Sequence, residues 1–356
     1  MTDDLTLTVG GSAVSGWTVT NVTRGIEICP PTFNIGFTDL YPGQADAIIV
    51  HAGDPCTVHL DSDLVLTGYV DTVEPGYEGS NHEIRITGRG KCQDLVDCSA
   101  ERPTGQFSGL NLLQIAQELA KPYGITVKCF GTPPVVPQFN LMIGESAWSI
   151  IERICRWAAF LCYEDVDGSL ILANGMNTQA ASGCTEGVNV QAAHATYTMN
   201  DRFSEYDVFL QALDVWTDAG QGGNQVAASK DPNVPRHRAK YLIAEGGAGG
   251  LGLAQPRANW EASRRYGRSR QVACTVDSWR DSSGTLWTPN TLVPLTLPSA
   301  KVPTGSNWTL GTISHSKDQN GTRAELSLMP FQAFTPEPLL LQPVDPDLTP
   351  PPAPPK

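Results

Sequence analysis

Residues 144–175, GESAWSIIERICRWAAFLCYEDVDGSLILANG, leave the chain few choices of fold. Ala147, Ile150, Ile151, Ile154, Trp157, Ala158 and Phe160 recur at helical spacing, so one broad apolar face has to be covered. Glu152, Arg153 and Arg156 take the other face, and Glu145 and Ser146 stand where free backbone N–H groups want an acceptor. Leu161 and Tyr163 then alternate, 165–168 makes a turn with Asp167-Gly168 supplying the positive φ, and Leu170 and Leu172 alternate back. The segment predicts one helix and one hairpin, a compact α/β plug. No residue in it reads as catalytic, and its place between two long β-rich stretches points to a structural part.

Before the plug, Leu5 to Arg89 reads as about seven short strands separated by Gly, Pro, Asn and Asp, the pattern of a barrel or sandwich. Leu110 to Tyr123 predicts a helix stopped by Pro122 and Gly124, Ile125 to Cys129 a strand, and Pro133, Pro134 and Pro137 a loop. After the plug, Val188 to Phe334 predicts strands at Phe203–Leu210, Tyr241–Ala244, Val272–Trp279, Leu292–Leu297, Trp308–Ile313 and Ala324–Leu328. A helix is expected over Arg257–Tyr266 and a polar loop over Gly220–Ser229. The end, TPPPAPPK, cannot pack a core and is expected to be extended.

At 356 residues the chain has room for two to four domains, and an apolar fraction of 40% is enough to build their cores. Charged residues are only 17%, low for a free surface, and with eight tryptophans this suggests a surface largely covered by partners. The net charge of −13 is uneven. Residues 1–100 hold fourteen acids against four bases, so this part would repel phosphates and suits a wall that DNA slides past. Residues 236–270 hold eight bases against Glu245 and Glu261. Arg264, Arg265 and Arg268 share a helical face there that could meet phosphate, although a solvated face or an acidic neighbour explains them better.

The nine cysteines are scattered with no C-x-x-C, as in a reducing compartment. The start, MTDDLTLTVGG, lacks the basic and apolar regions of a signal peptide, and no 18-residue apolar run occurs. A soluble protein folding in the cytoplasm is expected. The six histidines lie far apart, Cys92 and Cys98 do not fit a zinc pattern, and no G-x-S-x-G occurs. Gly247, Gly249 and Gly252 spell G-x-G-x-x-G, but Pro256 is expected to keep a helix from starting in the glycines and no βαβ unit follows. Glu145, Glu152, Glu164 and Asp165 read as caps and turn residues rather than a paired acid and base. No catalytic, cofactor-binding or metal-binding residue is assigned, and no cofactor is expected.

Several stretches together resemble the baseplate hub proteins of Mu-type contractile-tailed phages. They are Gly88–Ala100 (GRGKCQDLVDCSA), Trp17 and the Ile26–Phe33 turn, Gly68–Val73, Ile115–Ile125, the plug itself, Arg202–Val208, Arg257–Ser269, Asp277–Asn290 and Leu326–Phe334. The resemblance spans roughly residues 5 to 334 and extends to phage late control protein D and to the hub part of type VI secretion spikes. It implies an α+β, mainly β fold: two similar β-barrel domains and an α/β insert, assembling as a trimeric ring. It also implies a function, a virion structural adaptor joining the sixfold tail tube to the threefold central spike with a channel for DNA. The expected partners are two further copies, the tube protein, the spike protein and other baseplate proteins, with no specific DNA binding and no membrane insertion. The expected location is the virion baseplate, with assembly in the host cytoplasm. The expected divisions are a first barrel at 1–98, the α/β domain at 99–176, a second β-barrel region at 177–334 whose continuity stays open, and an extended tail at 335–356. An enzyme is not expected. The alternative reading is a tail-tip peptidoglycan hydrolase or a host-glycan-binding module.

Overall fold

The computed structural model describes residues 3–38, 50–78, 81–174, 178–211, 224–244 and 251–335. Seven strands precede the insert: β1 (Leu5–Val9), β2 (Ser12–Val14), β3 (Val19–Gly25), β4 (Ile28–Thr38), β5 (Pro55–Leu60), β6 (Asp63–Glu78) and β7 (Asn81–Gly90). They pair antiparallel in the order β2-β1-β5-β6-β7-β4-β3. Alternation sets the faces, so Leu5, Leu7 and Val9 are buried while Thr6 and Thr8 look outward.

The insert carries α1 (Gln93–Asp97), β8 (Gln106–Asn111), α2 (Leu112–Ala120), β9 (Val127–Phe130), β10 (Val135–Asn140), α3 (Ala147–Ala158), β11 (Leu161–Glu164) and β12 (Leu170–Ala173). The expected helix and hairpin of the plug are present. Ser146 Oγ caps α3 by accepting from the Ser149 N–H at 3.2 Å. Glu145 turns away from the cap to Arg153 at 2.9 Å. Gly168 takes φ 77 in the hairpin turn. The proline stretch is not all loop: β10 includes Pro137 and pairs with β8. The proline falls at a position that the ladder skips, so its missing N–H breaks no bond.

The rest of the chain adds β13 (Thr178–Gln179), β14 (Cys184–Thr185), β15 (Val190–Tyr197), β16 (Glu205–Gln211), β17 (Asn224–Lys230), β18 (Ala239–Ala244), α4 (Leu251–Arg268), β19 (Arg270–Val276), β20 (Thr291–Thr296), β21 (Ser306–Asp318) and β22 (Gly321–Met329). Two expectations are corrected here. Residues 224–230, expected in a polar loop, form β17, because Ala227 and its neighbours pair along all of β16. Helix α4 begins at Leu251 and runs through Gly252 and Pro256. A proline that early costs one backbone bond, to the carbonyl four residues back, and the helix recovers this by packing on β16 and β17.

The expectation of two closed barrels is not met. The strands before and after the insert join in one 14-stranded sheet, whose main path is open at β2 and β15 among the described residues. The reason lies in β3 and β21. One edge of β3 is taken by β4 and the other by β21, with Val22 opposite His315, so β3 cannot close on β1 or β2. A single apolar core runs beneath, from Leu5, Ile35, Val58 and Ile86 to Val272, Leu295, Ile313 and Leu328. The second β-rich stretch is interrupted: β16, β17 and β18 form their own sheet between β15 and β19, and α4 packs on it and on the segment after β22.

Candidate functional site

Two kinds of place on this fold carry functional information: its outer edges and the junction where its parts meet. At the edges, β15 pairs only with β19 and β2 only with β1 among the described residues, leaving backbone N–H and C=O groups free to pair. Several large apolar side chains stand in the open. They are Val135, Met142 and the fully exposed Ile143 on the insert, Val188 just before β15 and Tyr197 at its end, and Tyr241 and Ile243 on β18. Singly scattered apolar groups are ordinary on a surface; gathered into one patch they would mark a contact.

At the junction, Ile26 of the first strand set, Tyr163, Ile171 and Ala173 of the insert and Ala333 and Phe334 after β22 form a small apolar cluster. Beside it lies a cleft of about 360 Å³ lined by Arg24, Tyr163, Glu164, Asp281, Trp287 and Asn290. Asn290 Nδ2 donates to the Tyr163 hydroxyl at 3.2 Å. Glu164, at the end of β11, is buried, and one carboxylate oxygen accepts from the Cys92 N–H at 3.1 Å. Burial pushes its carboxyl up to about 8, against the pull of the Cys92 and Lys91 amides and of Arg24. Glycine at 90 leaves room for the Glu164 carboxylate, which a Cβ there would displace. Arg24 is buried, and desolvation lowers its pKa while Asp165 and Glu164 raise it.

The residues singled out in the sequence fall as follows. The basic run is spent within the chain. Arg264 and Arg268 pair with Glu27, Arg265 with Glu261, and Arg264 and Arg268 also donate to the Thr335 and Ala333 carbonyls. Of its acidic partners, Glu27 comes from the first hundred residues and Glu261 from α4 itself, both in the same chain. The acids there are also partly engaged: Asp61 and Asp63 hold Arg280, and Asp71 and Asp97 hold Arg89. Trp17, Trp279, Trp287 and Trp308 are buried, Trp148 and Trp260 half-buried. Trp216, Gly247, Gly249 and the proline-rich end lie outside the described residues. Glu145, Glu152, Glu164 and Asp165 form no acid–base pair; Glu152 meets Arg156 and Asp165 meets Lys128. Cys92 is drawn not to Cys98 but to Cys29 and Glu164, a grouping with no spacing signal because its members are far apart in the chain.

The comparisons with known proteins fit this layout. Residues 4–90 match the Mu phage baseplate assembly protein GpP-like N-terminal family, 92–174 the second domain of the baseplate hub protein gp44-like family, and 251–337 the fourth domain of the Mu phage baseplate assembly protein GpP family. The baseplate hub protein gp44 of Escherichia phage Mu is 29% identical over 345 residues, covering 94% of this chain and 89% of that one. This chain belongs to the Mu-type baseplate hub family. Among solved structures, the 43 kDa tail protein of prophage MuSo2 from Shewanella oneidensis is 29% identical with a TM-score of 0.83, covering 94% of this chain and 100% of that one. The c3393 protein of E. coli, a type VI secretion component described as similar to T4 tail proteins gp27 and gp5, shares the fold at 9% identity and a TM-score of 0.60, covering 95% and 80%.

For this hub protein the first and third matched regions are the two flanks of the common sheet, and the second is the insert. Its function is therefore structural, in the tail baseplate of a virion. The junction lies where the three matched regions meet.

Proposed function

We propose that this hub protein is a non-enzymatic homotrimeric adaptor that joins the sixfold tail tube to the threefold central spike and leaves a channel through which DNA passes without specific binding. The observation that supports it most is the division of one sheet into two strand sets on either side of the β3–β21 pairing. Three copies would offer six sets to the tube and three inserts elsewhere. The free edges at β2 and β15 belong to different sets, so a head-to-tail contact between copies would close a ring and remove both edges. The exposed apolar groups on the insert and β18 suit contacts with the spike and other baseplate proteins. Acids of the first region that are not held by arginines would face the channel. The division of the chain at 98, 176 and 334, with an extended tail beyond, belongs to the same proposal, as does assembly in the host cytoplasm.

Light scattering at micromolar concentration is expected to give three copies, and negative-stain imaging a threefold ring with a central hole. A monomer would overturn the proposal. Capture of purified tube and spike proteins without clearing of cell-wall suspensions supports the adaptor, and clearing by the pure protein would replace it with a hydrolase.

A further inference from the structure

We propose that Cys29, Cys92 and Glu164 bind one zinc-class divalent ion that pins the insert to the first strand set. Cys29 lies at the start of β4, Cys92 just before α1, and Glu164 at the end of β11. Their ligand atoms all lie within 4.8 Å of one another. Tetrahedral coordination, with metal–sulfur bonds of about 2.3 Å and metal–oxygen bonds of about 2.0–2.2 Å, sets ligand atoms roughly 3.5–3.8 Å apart. The cluster needs to tighten by up to about 1.3 Å to reach that. Two thiolates and a carboxylate are a borderline-soft donor set, which selects zinc over magnesium or calcium.

A second observation points the same way. Glu164 is only 4% exposed, and its Oε1 is buried with no hydrogen-bond partner. An orphan carboxylate oxygen at such depth is costly unless something meets it. The other oxygen accepts from the Cys92 N–H and fixes the carboxylate, the outer support that metal-bound carboxylates usually have. Gly90 lets the carboxylate lie against the backbone. The charges also balance. Two thiolates and one carboxylate carry −3, a divalent ion leaves −1, and the buried Arg24 beside Glu164 neutralises the rest. Of the three ligands, Glu164 also lines the junction cleft. No residue sits near another in sequence, so the ion would tie three separate segments together.

The test uses the full chain. After purification and washing with excess chelator-free buffer, elemental analysis is expected to give about one zinc per chain. Exchange for Co²⁺ is expected to produce thiolate-to-cobalt charge-transfer absorption in the near ultraviolet. Cys29→Ser and Glu164→Gln should each weaken Co²⁺ binding at least tenfold, and Cys98→Ser, at an exposed thiol, should leave it unchanged. Chelation should lower the Tm of the parent protein and leave that of Cys29→Ser unmoved. A parent protein that takes up neither zinc nor Co²⁺ would overturn the proposal. So would a cobalt spectrum that survives Cys29→Ser and disappears in Cys98→Ser, or thiol titration showing Cys29 and Cys92 joined as a disulfide. Glu164→Gln keeps the side-chain size, and its circular dichroism distinguishes lost binding from lost folding.

Discussion

The hub protein contains two small mixed sheets built alike and held together differently. In the insert, β12 runs antiparallel to β11 and parallel to β9. In the later unit, β16 runs antiparallel to β17 and parallel to β18. Helices α2 and α3 cover the first over a core of twenty buried residues that includes Phe107, Ile150, Ile154 and Leu170. Helix α4 covers the second over Val208, Ala227, Ala258 and Leu242 among the described residues. Among the described residues, charged contacts accompany this small apolar core. Arg202 and Asp231, both buried, pair at 2.6 Å, and Arg202 lies 5.1 Å over the Tyr266 ring of α4. Arg238, Lys240 and Arg265 gather on Phe203. One strand arrangement thus tolerates two kinds of adhesive, and the polar one depends on single partners.

The comparison breaks most visibly at Asp231. Asp231→Ala strands a buried guanidinium, and we expect a loss of about 3–5 kcal/mol in urea unfolding. A loss below about 1 kcal/mol, the range of exposed pairs, would show that the small apolar core suffices. Ile154→Ala in the insert should cost about 2–5 kcal/mol by leaving a cavity in a close-packed core. Little change there would mean that the insert collapses around the gap and is not the better packed of the two.

Acid separates both units from the common sheet. His315 in β21 is wholly buried, and burial first, then Arg24 and Arg280, hold its pKa down to about 3. The unfolded chain takes up that proton near pH 6.5, so the stability from neutral His315 is present above 6.5 and lost as pH falls toward 3. From His315 alone the folding equilibrium should weaken by up to about tenfold per pH unit in that window, offset down to about pH 4.5 by Glu164, whose carboxyl, raised to about 8, favours the folded chain as pH falls. Hydrogen exchange should show the β3–β21 seam opening before either small unit, and His315→Gln should flatten the acid limb. Seam amides that stay protected while the unit around Arg202 opens would reverse this order.

Smaller effects sharpen the contrast. Ser146→Ala removes the α3 cap and should cost about 1 kcal/mol in thermal unfolding. Glu205→Gln breaks the pair with the largely exposed Lys230 in the later unit and should cost less than about 1 kcal/mol. A larger cost would show that even its surface charges are part of the adhesive.

Much of the insert was legible because local signals agreed there. The apolar spacing of Ile150, Ile151 and Ile154, the cap at Ser146 and the Asp167-Gly168 turn all favour the structure found. Legibility failed where partners override local preference. Pro137 suggested a loop, yet β10 exists because β8 accepts it in a register that skips the proline. Residues 224–230 look polar, yet they pair along β16. Pro256 looked like a barrier, and α4 runs through it because its later turns are packed. At the junction, the chemistry of Glu164 was invisible. A glutamate at the end of a hairpin strand reads as solvated, and only the approach of Cys29, Cys92 and Arg24 from other segments buries it.

From its residues alone this chain determined where helices and strands form and which side of each is apolar, because periodicity and turn chemistry act within a few residues. Tertiary structure decided what each strand edge meets. Backbone edges carry no side-chain label, so only the packed sheet could commit β3 to β21 and turn two expected barrels into one shared sheet.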